Sequence, residues 1–375
     1  MRRRNSAVAA ERPIELAVVM PSVGRGGGAE RVVVNLLNHL ASTRIRSDFV
    51  VFQDGRQADE LTGDAVVVHD LARPKLRQAI APLFGWLRRR RPDIVFASLH
   101  NVNLGVLALK PFLPSTMRFV VRESSLPSRS LPNLRHGRCL AVGYRLLYRT
   151  ADLVICPTMA SQDELVRHFG VSADRTVVLP NPVSVDQLRA AATPPRRAAG
   201  DGARFVAVGR LFEAKGYDLL LDMFARLSPT SHLTIVGDGP DEADLRRQAV
   251  QLGLGGRLHL AGRMANPWPL MAGADAFVMP SRWEGMPNAA LEALACGTPV
   301  IASTNTGLSD VVEKAPADAI TIAEIGAEFG QRMAAVPVRA SSTVRPSLLP
   351  PDFAVDRVAA AYAGLFEQMI SARQN

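Results

Sequence analysis

The sequence predicts an α/β protein of two doubly wound parallel sheets in tandem, followed by a terminal helix. Three observations carry that reading. Short apolar runs alternate with helical patterns through most of the chain. A polar stretch rich in Ala, Pro and Arg follows Pro180-Asn181-Pro182 and runs to Gly202, parting the chain near its middle. The length of 375 residues suits about two domains.

Strand-like runs in the first half fall at 14–20, 48–52, 65–69, 93–98, 118–122 and 152–156, with 35–40 and 162–169 as pieces of intervening helices. A short run at 177–179 precedes the polar stretch. The second series has strands at 204–208, 232–236, 257–261, 275–279 and 298–302, and helical patterns at 217–227, 242–252 and 288–295. Residues 337–351 read as loop because of four prolines, and 353–369 carries apolar residues at helical spacing. The expected division is 1–182, 183–350 and a terminal segment 351–375. A ligand belongs in the cleft facing the carboxyl ends of both sets of strands.

The apolar fraction of 47% and charged fraction of 21% are those of a soluble globular chain and exclude general disorder. The net charge of +9 suits an anionic partner, whether phosphate, nucleic acid or an acidic membrane surface; the Arg, Ala and Gly richness of a G+C-rich genome is the plainer source of the same charge. Only Lys75, Lys110, Lys215 and Lys314 are lysines, so a lysine in a chain that otherwise uses arginine draws notice. Cys139, Cys156 and Cys296 form neither a disulfide framework nor a zinc motif, which fits a reducing cytoplasm. No apolar run approaches the roughly 20 residues that span a bilayer. Arg2-Arg3-Arg4 resembles a signal-peptide start, but Ala7 to Ala10 is too short for its apolar core. The expectation is a cytoplasmic chain, at most peripheral on a membrane.

Three segments carry chemistry. Gly24-Arg25-Gly26-Gly27-Gly28-Ala29-Glu30 joins the first strand to a helix, where glycines and helix-start amides can approach a phosphate. Gly24-x-Gly26-x-x-Ala29 also satisfies a dinucleotide pattern, with Asp54 at the distance of a ribose ligand, although Pro21-Ser22-Val23 lengthens the turn. In Val208-Gly209-Arg210 through Lys215-Gly216, two cations five residues apart at a strand end can clamp two phosphates. In Glu284-Gly285-Met286-Pro287-Asn288-Ala289 through Glu292, a loop carboxylate and a helix carboxylate can hold a polyhydroxylated ligand, while amides at Met286, Asn288 and Ala289 meet an anion. A glycosidase carboxylate pair and a helix-capping Glu284 are the other readings of the same residues.

The Glu284-x7-Glu292 spacing resembles the E-x7-E motif of retaining glycosyltransferases of family 4. Gly26 to Arg31, Pro180-Asn181-Pro182-Val183, Gly209 to Gly216, Val236-Gly237-Asp238-Gly239-Pro240 and Cys296-Gly297-Thr298-Pro299-Val300 also resemble that family's segments, in its order, over roughly 14–40 and 175–313. The resemblance implies a GT-B fold with two Rossmann-like domains facing a cleft and the C-terminal helix crossing back to the first. It implies catalytic roles for Arg210 and Lys215 at the donor diphosphate, with Glu284 holding sugar hydroxyls. It assigns Gly27, Gly28, Gly209, Met286, Asn288, Ala289 and Glu292 to the donor, Glu292 on the ribose. The donor is then a UDP-sugar, the acceptor a glycan, lipid-linked by expectation, and neither cofactor nor metal is required. No nucleic acid partner is expected.

The chain departs from the family in two places. Glu123 and Ser124 stand where many members carry a histidine near the reacting sugar, and His100 is the nearest substitute. Lys314 to Asp318 replaces a glycine-containing hairpin, which puts the far edge of the second domain in question. On the acceptor side, Lys75–Arg91 with Trp86, and Arg129–Arg149 with Tyr144 and Tyr148, mix cations and apolar groups suited to anionic lipid, and Pro82 is expected to break a long helix in the first. A nicotinamide-dependent dehydrogenase and a non-catalytic sugar-nucleotide-binding subunit are the rival readings.

Overall fold

A computed structural model describes residues 12–22, 27–40, 44–55, 61, 66–134, 136–196, 202–339 and 343–372. The arginine-rich start and Gly24–Gly26 lie outside the described residues. The first half runs β1 (Ile14–Met20), α1 (Gly28–Leu40), β2 (Ile45–Val51), β3 (Val66–Asp70), α2 (Leu76–Arg90), β4 (Ile94–Ser98), α3 (His100–Leu109), β5 (Arg118–Arg122), α4 (Pro127–Ser130), α5 (Gly137–Leu147), β6 (Leu153–Cys156), α6 (Met159–Phe169) and β7 (Thr176–Val178). Its strands form one parallel sheet in the order β3-β2-β1-β4-β5-β6-β7.

The second half runs α7 (Val185–Ala190), β8 (Arg204–Val208), α8 (Tyr217–Ala225), β9 (His232–Val236), α9 (Glu242–Gln251), β10 (Leu258–Gly262), α10 (Trp268–Gly273), β11 (Ala276–Met279), α11 (Asn288–Ala295), β12 (Val300–Ser303), α12 (Ser309–Val312), β13 (Ile320–Ala323), α13 (Ala327–Ala334) and α14 (Val355–Ser371). Here too the sheet is parallel, in the order β10-β9-β8-β11-β12-β13. Near-continuous Val, Ile, Leu and Ala runs form these strands because helices cover both faces. In each sheet the order reverses once, between β1 and β4 and between β8 and β11. A crevice opens at such a point, outside the carboxyl ends of the strands.

Helix α14 leaves the second sheet and packs on the first. Val358, Tyr362 and Phe366 join one core with Leu16, Val18 and the buried face of α1, and Phe96 meets the rings of Tyr362 and Phe366 edge-on at 6.1 Å. The chain therefore passes twice between the sheets, and the two passages lie side by side: Val183 N donates to Phe353 O at 2.9 Å, and Val355 N donates to Val183 O at 3.0 Å.

Four sequence expectations change. Pro82 sits inside the 15-residue α2 without ending it; Ala79, Leu83 and Leu87, one helical turn apart, are all fully buried, and that burial outweighs the one backbone bond a proline removes. The stretch after Pro182 is not all linker, because α7 forms there and buries Leu188. The far edge of the second sheet is complete: β13 pairs with β12 from Val300↔Ile320 to Ser303↔Ala323. Asp318, at φ 63°, adopts the left-handed turn conformation that glycine ordinarily supplies. Finally, Tyr144 and Tyr148 are fully buried and cannot rest on lipid; Trp86 packs inward against the His69 ring at 5.1 Å.

Candidate active site

The wall of the crevice on the second sheet is built by two loops, one after β8 and one after β11. Gly209 N donates to Val236 O at 3.0 Å and Leu211 N to Asp238 O at 2.7 Å, which seats the first loop on the end of β9. The Arg210 side chain is exposed and makes no hydrogen bond or ion pair with the described residues. Lys215, in a single 3₁₀ turn (Glu213–Lys215), points at the second loop and pairs with Glu284 Oε1. Both side chains are largely shielded, 19% and 17% exposed, so water screens this pair less than a surface pair.

Arg282 locks the two loops together. Its guanidinium donates to both carboxylate oxygens of Asp218, at 2.9 and 2.7 Å, and to Glu213 O at 2.6 Å. The Arg282 bond holds the Asp218 carboxyl below its ordinary range. Gly216, at φ 64°, lets the loops touch, since a Cβ there would strike Pro280 O. Glu284 does not cap α11, which has no side-chain cap; its main-chain N donates instead to Asn305 O at 3.1 Å. Ala289, half-buried in the first turn of α11, follows Asn288 at that uncapped end.

The opposite wall comes from the start of α1. Glu30 folds back on the glycine segment, accepting from Ser22 Oγ at 2.9 Å and from Gly27 N at 3.3 Å. Gly28 then meets the second domain directly: Asn288 Nδ2 donates to Gly28 O at 2.8 Å. A Cβ on Gly28 would lie 2.7 Å from that same nitrogen, so a side chain there would hold the walls apart. Glu292, on α11, receives a bond from Arg31 of the first domain at 2.8 Å and one from Trp268 Nε1 at 3.0 Å.

Asn181, in the crossing segment, ties the walls from behind. Its N donates to Met286 Sδ at 3.2 Å, and its Nδ2 to Met286 O at 3.3 Å and Asn288 Oδ1 at 2.5 Å. Its Oδ1 accepts from Arg122 Nη2, a guanidinium only 1% exposed that also donates to Ser98 Oγ at 3.3 Å. Met286 is thus buried against the hinge, with its carbonyl facing Asn181.

Glu123 does not line the crevice. Its carboxylate is fully buried and accepts five bonds: Oε1 from the N–H groups of Ser124 and Ser125 and from Ser125 Oγ, Oε2 from the hydroxyls of Tyr144 and Tyr148 at 2.8 and 2.9 Å. It shapes the Ser124–Ser125 loop, and a Cβ on Gly285 would come within 3.0 Å of Ser124 O, so that loop abuts the Glu284 loop. His100 follows the carboxyl end of β4 and is half-buried. It opens α3 after Leu99, whose φ of 80° is a strained value for leucine of the kind that clusters at functional sites. Burial pushes the His100 imidazole down, so it is neutral at pH 7.

All four tyrosines of the chain are shifted up by burial: Tyr144 and Tyr148 well above their ordinary value, Tyr217 likewise, and Tyr362 to about 12. The folded chain therefore keeps these protons while the unfolded chain gives them up near pH 10, so stability is intact below about pH 10 and falls as pH rises beyond it. Tyrosinate absorbance is expected to appear together with unfolding, as one step. A folded chain titrating near the free value would contradict it.

Sequence reasoning passed over Arg122, Trp268 and the role of Arg31. Asn181 and Arg31 sit inside recognised segments, which was signal enough to ask what they hold; Trp268 gave none. Among the described residues, no group of three His, Cys, Asp or Glu side chains is arranged to hold a metal ion, and no helix is long and apolar enough to cross a membrane.

Two parallel Rossmann-like sheets of this topology, facing each other across a crevice with the C-terminal helix crossing back to the first, are the architecture of a GT-B glycosyltransferase. The sequence matches the family model described as Glycosyltransferase Family 4 over residues 26–187 and that of Glycosyl transferases group 1 over residues 192–322. The chain belongs to glycosyltransferase family 4. It is 27% identical to the lipopolysaccharide core biosynthesis glycosyltransferase LpsE of Rhizobium meliloti, covering 76% of this chain and 78% of that one. It is also 27% identical to a Campylobacter jejuni N-acetylgalactosaminyltransferase acting on a diphospho-undecaprenol-linked sugar, covering 76% and 80%. The solved structure of HepE from Anabaena in complex with UDP-glucose superposes with a TM-score of 0.70 at 21% identity, over 96% of this chain and 99% of that one.

Proposed function

We propose that this protein is a retaining, metal-independent transferase that moves a hexose or N-acetylhexosamine from a UDP-sugar to a lipid-linked glycan in cell-surface polysaccharide synthesis. The observation that carries the reading is the pairing at the β8 and β11 loops: an Arg210 side chain with no partner among the described residues, close to a Lys215–Glu284 ion pair. A donor diphosphate gives Lys215 a doubly charged partner in place of Glu284, and frees the Glu284 carboxylate to accept hydroxyls of the sugar. Breaking the anomeric bond moves negative charge onto the leaving phosphate, and two cations beside it lower the barrier. Front-side attack, with that phosphate taking the acceptor's proton, retains configuration; this stereochemistry follows the family resemblance.

The acceptor side of the reading rests on α5 and on the Campylobacter relative, which acts on an undecaprenol-linked sugar. With Tyr144 and Tyr148 turned inward, α5 shows Arg138, Val142, Arg145 and Leu146 outward, Leu146 being 64% exposed. Alternating cations and apolar tips of this kind suit an anionic lipid surface. The domain division at 182 and 350 is proposed with it, since the two passages that bridge Val183 and Ala354 mark the same place.

A thermal-shift panel tests the donor. UDP and its sugar conjugates are expected to raise the melting temperature, since a ligand at about 100 times its Kd adds about 2.7 kcal/mol to the folded state. NAD is expected to have no effect; stabilisation by NAD without UDP would turn the reading toward a dehydrogenase.

A further inference from the structure

The grip on Glu292 is shared between the two domains. Arg31 Nη1, from the first turn of α1, donates to Oε1, and Trp268 Nε1, from the first turn of α10, donates to Oε2. The Arg31 guanidinium also lies 5.6 Å from the centre of the Trp268 ring. The Glu292 side chain is 9% exposed and that of Arg31 33%. Beside them opens a cavity of about 320 Å³, whose walls include Gly28, Asn35, Gln187 and Asn288.

Each carboxylate oxygen has two lone-pair sites. Arg31 and Trp268 use one on each oxygen, which leaves one on each oxygen for an incoming pair of neighbouring hydroxyls. The two donors also fix the carboxylate plane, which Trp268 alone would leave free to rotate about a single bond. Trp268 belongs to the same domain as Glu292 and is present whatever the first domain does. Arg31 is different: it reaches Glu292 only when α1 lies against α11, the arrangement that the Asn288–Gly28 bond also requires.

We propose that Arg31 is a positioning residue for the donor's ribose: by orienting Glu292 across the cleft, it makes recognition of the 2′,3′-diol depend on closure of the two domains. The proposal rests on the reading of Glu292 as the ribose-binding residue and adds to it a dependence on the opposite domain. Closure and donor recognition then become one event. A nucleotide lacking the diol binds the cations but gains nothing from closing, and the enzyme distinguishes the two through a residue that never touches the ribose.

The test is a cycle over ligand and protein, by calorimetry with UDP and 2′,3′-dideoxy-UDP on the full chain. Wild type is expected to bind the dideoxy compound about tenfold more weakly, the worth of a hydrogen bond to a charged group. In Arg31→Ala that penalty is expected to shrink below about twofold, and Arg31→Lys, which keeps the cation, is expected to recover part of it. Far-UV circular dichroism and melting check that the variants are folded. An equal diol penalty in wild type and Arg31→Ala, or tighter UDP binding by Arg31→Ala, overturns the proposal and leaves the reading of Glu292 standing. If wild type shows no diol penalty and Glu292→Ala binds UDP unchanged, that reading fails and the proposal with it.

Discussion

Replacing Lys215 with alanine is expected to lower sugar transfer by about a thousandfold, from the loss of about 4 kcal/mol of transition-state stabilisation, with the fold intact. The Lys215 ammonium is held at the β8 loop by the turn after Phe212, and Glu284 is its partner in the ligand-free chain. In the proposed reaction Lys215 meets the charge of the bound diphosphate already, and a further negative charge develops there as the anomeric bond breaks, so kcat is expected to fall more than the donor KM rises. Lys215→Arg keeps the charge but replaces a compact cation by a wider planar one and is expected to recover only part of the rate. Glu284→Ala is expected to cut transfer by orders of magnitude as well, through the sugar hydroxyls. Both are read from initial rates with a radiolabelled UDP-sugar, alongside circular dichroism. Near-native turnover in either variant would place the chemistry elsewhere.

The second large effect concerns stability. Glu123→Ala is expected to destabilise the first domain by about 3 to 5 kcal/mol in urea unfolding, because it strips buried donors of their acceptor. The Tyr144 and Tyr148 hydroxyls, stacked with ring centres 4.3 Å apart, would lose the oxygen they share, and the Ser124 and Ser125 amides theirs. Glu123→Gln is expected to cost much less, since its oxygen still accepts and the tyrosine hydroxyls can turn to meet its amide. Activity gives a second reading: the Ser124–Ser125 loop abuts Gly285, so loosening it is expected to raise the donor KM even where the domain stays folded. Equal stability of Glu123→Ala and wild type would show the network to be incidental.

Much of this molecule was legible before any coordinates. Apolar runs set between helical patterns placed the strands at 14–20, 118–122, 204–208 and 232–236 at the ends observed, because a strand covered on both faces has to be apolar throughout. The helix Asn288–Ala295 was equally plain from its proline start and small apolar face. Lys215 stood out as a rare lysine, and Glu284 by its spacing from Glu292. Pro82 misled, since its local penalty is visible in the sequence and the burial of Leu83 and Leu87 is not. Glu123 misled for the opposite reason. A carboxylate at a strand end looks like a site residue until the two tyrosines that enclose it, 21 and 25 positions further on, are seen.

The parallel sheets, the glycine and cation segments and their order follow from periodicity and local turn chemistry, which act over neighbouring residues. Which groups share a carboxylate depends on how the finished chain packs. Arg31 meets Glu292 across 261 positions, and Asn181 meets Asn288 across 107. Partners so distant in the chain are chosen by the way two finished domains and their paired crossings pack, and no local pattern records that choice.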